Sequence, residues 1–69
     1  MTEMIKIRML AMIDREIEDV EGNIKDNEVW KHGSSTEEEV EMFEENITDL
    51  EAYKEMLLYL RAKVTEDMI

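Results

Sequence analysis

Hydrophobic residues recur along both halves of the chain at steps of three and four residues. Such spacing places side chains on one face of an α-helix. The first stripe contains Leu10, Ile13, Ile17, Val20 and Ile24. The second contains Val40, Phe43, Ile47, Leu50, Tyr53, Leu57, Leu60 and Val64, with one irregular step of three that ends at Tyr53. The pattern predicts two amphipathic helices, helix 1 over about 3–28 and helix 2 over about 36–66.

The segment 29–35 between the stripes has the composition of a turn. Gly33 suits the left-handed conformation in which many helices end. Thr36 or Ser35 is expected to cap helix 2, because each is followed three residues later by a Glu, which is the capping-box spacing. We therefore predict a loop over 29–35 that reverses the chain.

An antiparallel pairing of the two stripes follows from a reversal near His32. The residue numbers of facing partners should then sum to about 64. The pairs that meet this condition are Ile24 with Val40, Val20 with Phe43, Ile17 with Ile47, and Ile13 with Leu50. The sequence predicts an all-α fold, a two-helix antiparallel hairpin that forms one domain over 1–69 with an entirely apolar seam. Gly22 lies on the outer face of helix 1, and either a continuous or a kinked helix is compatible with it.

A lone hairpin of 69 residues buries little apolar surface, so a further association is expected. A second set of apolar residues lies near the open end, where the chain termini meet. We predict dimerisation through this end into a four-helix bundle, with a Met-lined groove for another protein's helix as the alternative. The predicted self-association residues are Met4, Ile5, Met9, Met12, Met56 and Tyr59.

Two residues of the predicted loop are the only ones of their type in the chain. Trp30, together with Val29, is expected to form an apolar plug over the closed end of the hairpin. The alternative is an exposed Trp30 that anchors a partner, since Trp is enriched at binding hot spots. His32 lacks a second ligand at helical spacing, so a solvated loop residue is expected.

Charge is unevenly distributed along the chain, whose net charge is −11. Residues 14–51 contain 15 acidic and 3 basic side chains, whereas the remaining residues contain 4 acidic and 5 basic ones. Either the acidic half is a solvated face, or it faces a basic partner as a nucleic-acid mimic that inhibits a DNA- or RNA-binding protein. Direct nucleic-acid binding is not predicted, because no Lys/Arg surface is clustered. The predicted partner-facing residues are Glu37, Glu38, Glu41, Glu44 and Glu45.

The sequence offers little for catalysis. Cys is absent, which excludes thiolate metal sites and cysteine nucleophiles. The run Glu37-Glu38-x-x-Glu41 resembles the paired-carboxylate helix motif of all-α nucleotide pyrophosphohydrolases, which bind Mg²⁺. The later ExxD of those enzymes is missing, since Glu16-x-x-Asp19 lies upstream. No enzyme activity, cofactor or metal site is therefore predicted.

The start of the chain carries charged residues at Lys6, Arg8, Asp14 and Arg15. They interrupt both the apolar core of a signal peptide and the length needed for a membrane span. A cytoplasmic protein without a membrane partner is expected. We interpret the chain as a small acidic, non-enzymatic interaction or regulatory module.

Overall fold

The computed structural model describes residues 1–67 and contains two helices within them, α1 (Glu3–His32) and α2 (Glu37–Thr65). The helices pack along their lengths in antiparallel orientation, which gives a rod of 51 × 15 × 10 Å. The predicted all-α helical hairpin is thereby confirmed. Across residues 1–67, neither helix is long and apolar enough to cross a membrane.

Each helix begins at a threonine cap. The Thr2 hydroxyl oxygen accepts a hydrogen bond from the N–H of Ile5 (3.3 Å), and that of Thr36 accepts one from the N–H of Glu39 (3.2 Å). The Glu39 carboxylate accepts a further bond from the N–H of Ser35 (3.4 Å). Thr36 is therefore the N-cap of α2. The acidic first turn that follows it is favoured by the helix dipole.

The turn differs from the prediction because α1 continues to His32, so four of the seven residues of the predicted loop are helical. The left-handed conformation predicted for Gly33 is wrong, since its φ is −88°. The terminal carbonyls of α1 find donors without it. The N–H of Gly33 donates to the carbonyl of Val29 (3.1 Å), and the Ser34 hydroxyl donates to that of Trp30 (2.9 Å). A left-handed cap is therefore not needed to satisfy them.

Helix α1 passes through Gly22 without a break. A Cβ atom built at Gly22 would meet no heavy atom within 4 Å, so the glycine is not required by a close approach. Of the two alternatives that the sequence left open, the continuous helix is the observed one.

The seam between the helices contains the predicted apolar residues except Tyr53, and Val20, Ile47, Leu57 and Val64 are buried. Polar residues complete the repeat, so the prediction of an entirely apolar seam is wrong. Asn27 is buried, with 7 % of its surface exposed, and Lys31 and Lys54 are half-buried. Lys54 occupies the seam position predicted for Tyr53, whose exposure is 39 %. With Lys54 in place, the spacing from Ile47 to Leu57 alternates regularly and the irregular step disappears.

The register also differs from the prediction. Side chains that meet across the seam have residue numbers that sum to 69 (Glu16 with Tyr53), 73 (Asn27 with Asn46) or 75 (Asp14 with Arg61), not to about 64. The cause is the longer α1, because the reversal lies midway between His32 and Glu37 and gives a sum of 69. Ile17 is therefore level with residue 52, and Ile47 is not its direct partner.

Candidate functional site

Three ion pairs cross the seam on one side of the hairpin, which we call the charged face. Asp14 Oδ1 lies 2.6 Å from Arg61 Nε, Glu21 Oε2 lies 3.8 Å from Lys54 Nζ, and Glu44 Oε1 lies 3.4 Å from Lys31 Nζ. Asp14 and Glu21 are seven residues apart, as are Lys54 and Arg61, so these pairs follow one side of each helix. The hydrogen bond and the charge of Asp14 raise the pKa of Arg61 above its ordinary value.

The opposite side of the hairpin has a different chemistry. The Tyr53 hydroxyl donates a hydrogen bond to Glu16 Oε2 (2.9 Å) on this side. Glu16 lies two residues beyond Asp14, which is a rotation of about 200° around α1. The two residues therefore reach over the seam from opposite sides. Residues at steps of three, four or seven from Glu16 and Tyr53 share their side.

We call this second side the apolar face, because large apolar residues dominate both of its ends. Met12 and Trp30 are respectively 69 % and 53 % exposed, while Met9 and Leu60 are half-buried beside the seam. Polar residues, among them Glu16, Asn23, Asn46 and Asp49, lie between the two ends. The apolar members are Ile5, Met9, Met12, Met56 and Leu60 towards the open end, and Trp30 and Met42 towards the closed end.

The hairpin brings together four of the six predicted self-association residues, namely Ile5, Met9, Met12 and Met56. Met4 and Tyr59 lie elsewhere. Met4 is two residues before the half-buried Lys6, and Tyr59 is two residues after the buried Leu57. Met4 is therefore on the back of α1, away from the seam, whereas Tyr59, three residues after Met56, lies between the apolar face and the back of α2. Lys63 Nζ lies 5.3 Å from the centre of the Tyr59 ring, a cation–π distance.

Trp30 lies on the apolar face near the closed end. Its ring is tilted at 47° to that of Phe43, with 6.0 Å between the ring centroids. Half of its surface nevertheless stays exposed, and Val29 is 62 % exposed. The predicted plug of Val29 and Trp30 is thus wrong. Because α1 continues through both residues, their side chains follow the helix surface instead of folding over the loop.

A pair of asparagines forms the polar centre of the seam. Asn27 Nδ2 donates to the carbonyl of Asn23 (2.7 Å), and Asn27 Oδ1 accepts from Asn46 Nδ2 (3.2 Å). No buried side-chain nitrogen or oxygen within residues 1–67 lacks a partner. A polar residue in a helical seam costs stability but specifies the register, because a shifted pairing leaves it unsatisfied. The sequence indicated this site only indirectly. The apolar stripe of α1 ends at Ile24, and the next position of its three- and four-residue repeat is Asn27.

Tyr53 is the second polar contact across the apolar face. The hydrogen bond to Glu16 and the charge of that carboxylate, with a smaller effect of burial, raise the pKa of Tyr53 above its ordinary value. Tyr53 was predicted to lie in the seam, and its bridge to Glu16 was not predicted. The irregular three-residue step at Tyr53 was the signal that could have revealed it.

The predicted acidic residues are all exposed, and Glu41, Glu44 and Glu45 line one open depression on α2. Glu44 belongs to the charged face through its ion pair with Lys31. Glu41 and Glu45 lie two residues before Phe43 and Ile47 of the seam, so they are on the back of α2. Within residues 1–67, no group of three or more His, Asp or Glu side chains is arranged to hold a metal ion.

Comparison with known proteins gives no match to a protein-family model, to a curated protein or to a solved structure. The features from which a function can be inferred are therefore the apolar face, the charged face and the acidic back of α2.

Proposed function

We propose that this chain is a small, non-enzymatic interaction or regulatory module that dimerises through its apolar face into a four-helix bundle. The open end of that face, with Ile5, Met9, Met12 and Met56, contributes most of the contact. The hairpin supports this function because large apolar residues are exposed on the apolar face, whereas three ion pairs occupy the other side beside the exposed Ile7 and Leu58.

The observation that carries the proposal is the amount of surface that the hairpin leaves exposed. Its accessible surface is 5397 Å² for a mass of 8.2 kDa. A compact monomer of this mass exposes about 4,500 Å². The excess of about 900 Å² is close to the ~800 Å² that each partner buries in a stable interface of standard size. One contact along the apolar face would remove it.

The charge distribution favours the same surface. Outside residues 14–51 the chain has 4 acidic and 5 basic side chains, so the open end is nearly neutral. Burial of this end would desolvate few unpaired charges, and burying an unpaired charge is costly. The acidic residues near the closed end would then keep the dimer soluble.

A matched pair of methionines tests the proposal by sedimentation equilibrium. Met12 on the apolar face and Met4 on the back of α1 are 69 % and 65 % exposed. Met12→Glu would place a carboxylate in the interface and should raise the dimer dissociation constant about tenfold or more. Met4→Glu adds the same charge outside it and should leave the constant within about threefold.

The proposal would be refuted by a wild-type chain that sediments as a folded monomer at micromolar concentration. Equal effects of Met12→Glu and Met4→Glu would retain the dimer but remove the apolar face as its interface.

A second candidate function is inhibition of a nucleic-acid-binding protein by mimicry of phosphates. The observation that favours it is the position of Glu41 and Glu45 on the back of α2, because a dimer formed through the apolar face would leave them accessible. The measurement is capture of a basic DNA-binding protein that added salt releases and DNA displaces. Loss of capture in a Glu41→Gln/Glu45→Gln variant would support mimicry. Capture that neither added salt nor DNA reverses would exclude it.

A further inference from the structure

Two orientations of the hairpins are compatible with the proposed dimer, on which this inference rests. The two closed ends could lie together, or the hairpins could run in opposite directions. We infer that the second copy of the chain docks head to tail. The closed end of each hairpin, with Trp30 and Met42, then lies on the Met9 and Met56 end of its partner.

The apolar face has a pattern that reads the same from both ends. On α1, the residues at seven-residue spacing are Met9, Glu16, Asn23 and Trp30, apolar at the ends and polar within. On α2, the corresponding row is Met42, Asp49 and Met56, and Lys63 continues it at the open end.

The midpoints of the two rows lie at the same level of the hairpin. The midpoint of the α1 row lies between residues 19 and 20, and that of the α2 row lies at Asp49. These numbers sum to about 69, as do those of Glu16 and Tyr53, which meet across the seam. One twofold axis can therefore cross both midpoints. It lies in the plane between the two apolar faces and is perpendicular to the helix axes.

Within these two rows, that axis matches apolar residues with apolar residues and polar residues with polar ones, whereas Met12 would lie at the level of Asn27 of the other copy. Trp30 would face Met9 of the other copy, and Met42 would face Met56. Glu16 would face Asn23, whose amide can donate a hydrogen bond to the carboxylate. The exposed half of the Trp30 ring would be covered by a flexible Met side chain, which adapts well to an aromatic surface.

The charge distribution distinguishes this orientation from the one with adjacent closed ends. Adjacent closed ends would set the two acidic segments 14–51 directly opposite each other, at the 8–10 Å spacing of packed helices. The head-to-tail arrangement displaces their centres by about 14 Å along the axis, at 1.5 Å per residue. About half of each acidic segment then lies opposite the nearly neutral end of the other copy, which reduces the repulsion between the exposed charges.

One contact in the head-to-tail dimer is unfavourable, and it provides a test. The two copies of Asp49 meet at the twofold axis, whereas adjacent closed ends would place Asp49 opposite Asn23. Asp49→Asn should therefore tighten the head-to-tail dimer about threefold. Glu51→Gln, which removes the same charge two residues away on the charged-face side, should change the dissociation constant less than twofold.

Spin-label distances measure the orientation directly. The chain contains no Cys, so Ser35→Cys provides a single labelling site in the exposed loop. In the head-to-tail dimer the two loops lie at opposite ends, about 45 Å apart at 1.5 Å per residue. With adjacent closed ends the labels would lie within about 20 Å, since packed helices are 8–10 Å apart.

A pulsed dipolar measurement on the full-length labelled chain gives one of three results. A distance near 45 Å supports the head-to-tail dimer. A short distance overturns the inference but retains the dimer of the proposed function. A chain without intermolecular coupling that also sediments as a monomer overturns both.

Discussion

The observed seam makes a sharp prediction at two adjacent leucines. Leu57 is 5 % exposed and faces α1. Leu58, one residue later, is 47 % exposed and lies outside the seam. Leu→Ala at a packed site removes the transfer free energy of the lost methyl groups and leaves a cavity, at a cost of about 2–5 kcal/mol. The seam of a two-helix hairpin is open along both sides and can partly collapse, so we expect about 2–3 kcal/mol for Leu57→Ala.

Thermal unfolding followed by circular dichroism, at one fixed chain concentration, measures the difference. A loss of 1 kcal/mol lowers the Tm of a domain of this size by about 4–8 °C. Leu57→Ala should therefore lower the Tm by about 10–20 °C. Leu58→Ala makes the same change in helix propensity one residue further along, and we expect a loss of about 0.5 kcal/mol or less.

Equal losses at the two leucines would refute the reasoning, because they would show that burial in the seam does not determine the cost. A larger loss at Leu58 would mean that α2 is rotated by about 100° from the observed orientation. The regular repeat through Lys54 would then be wrong as well.

Three further predictions concern positions outside the apolar core. Gly22→Ala should raise stability by about 1 kcal/mol in thermal unfolding, since the helix passes through Gly22 and an added Cβ meets nothing within 4 Å. Asn27→Ala should cost about 1–3 kcal/mol in denaturant unfolding because it leaves Asn46 without its partner. Asn23→Ala should cost under about 0.5 kcal/mol because the acceptor at Asn23 is its backbone carbonyl. The hydrogen bond to Glu16 favours the neutral form of Tyr53 in the folded chain. Its contribution to the stability of the fold is therefore fully present below the ordinary pKa of tyrosine, and it is lost as the pH rises through the raised pKa. NMR titration of the Tyr53 ring should show that Glu16→Gln lowers this pKa, and an unchanged pKa would contradict the observed bridge.

The fold itself could be predicted because it depends on repeats that the sequence displays directly. Two stripes of apolar residues at three- and four-residue spacing leave few alternatives to paired helices. Thr36 was also within reach, since a capping box depends only on residues three positions apart. Both signals are local, and they do not require the position of one helix relative to the other.

The register and the polar seam positions could not be predicted by the same means. A stripe defined by apolar residues stops at Ile24, although the helical repeat continues through Asn27 and Lys31. At Tyr53 the apolar criterion selected the aromatic ring over Lys54. A lysine can bury its aliphatic stem in a seam while its ammonium group reaches Glu21 at the surface. The end of α1 was also predicted wrongly. A left-handed Gly33 was expected to satisfy the last carbonyls of the helix, but the Ser34 hydroxyl donates a hydrogen bond to the Trp30 carbonyl instead.

The polar contacts of the seam determine which residues compose the apolar face. In the observed register Met12 is level with Leu57 and therefore adjacent to Met56, so the methionines of the two helices form one surface. In the register expected from a reversal at His32, Met12 would be level with Ala52, and Met56 with Arg8. Met12 would then lie about 6 Å from Met56 along the helix axis, at 1.5 Å per residue. Asn27 with Asn46, and the ion pairs of the charged face, oppose that shift because it would separate each pair. An interaction surface made of adaptable Met side chains thus depends on a few directional polar bonds behind it. Loss of the Asn27 bond should accordingly weaken dimerisation as well as folding, although neither asparagine belongs to the apolar ends that make the contact.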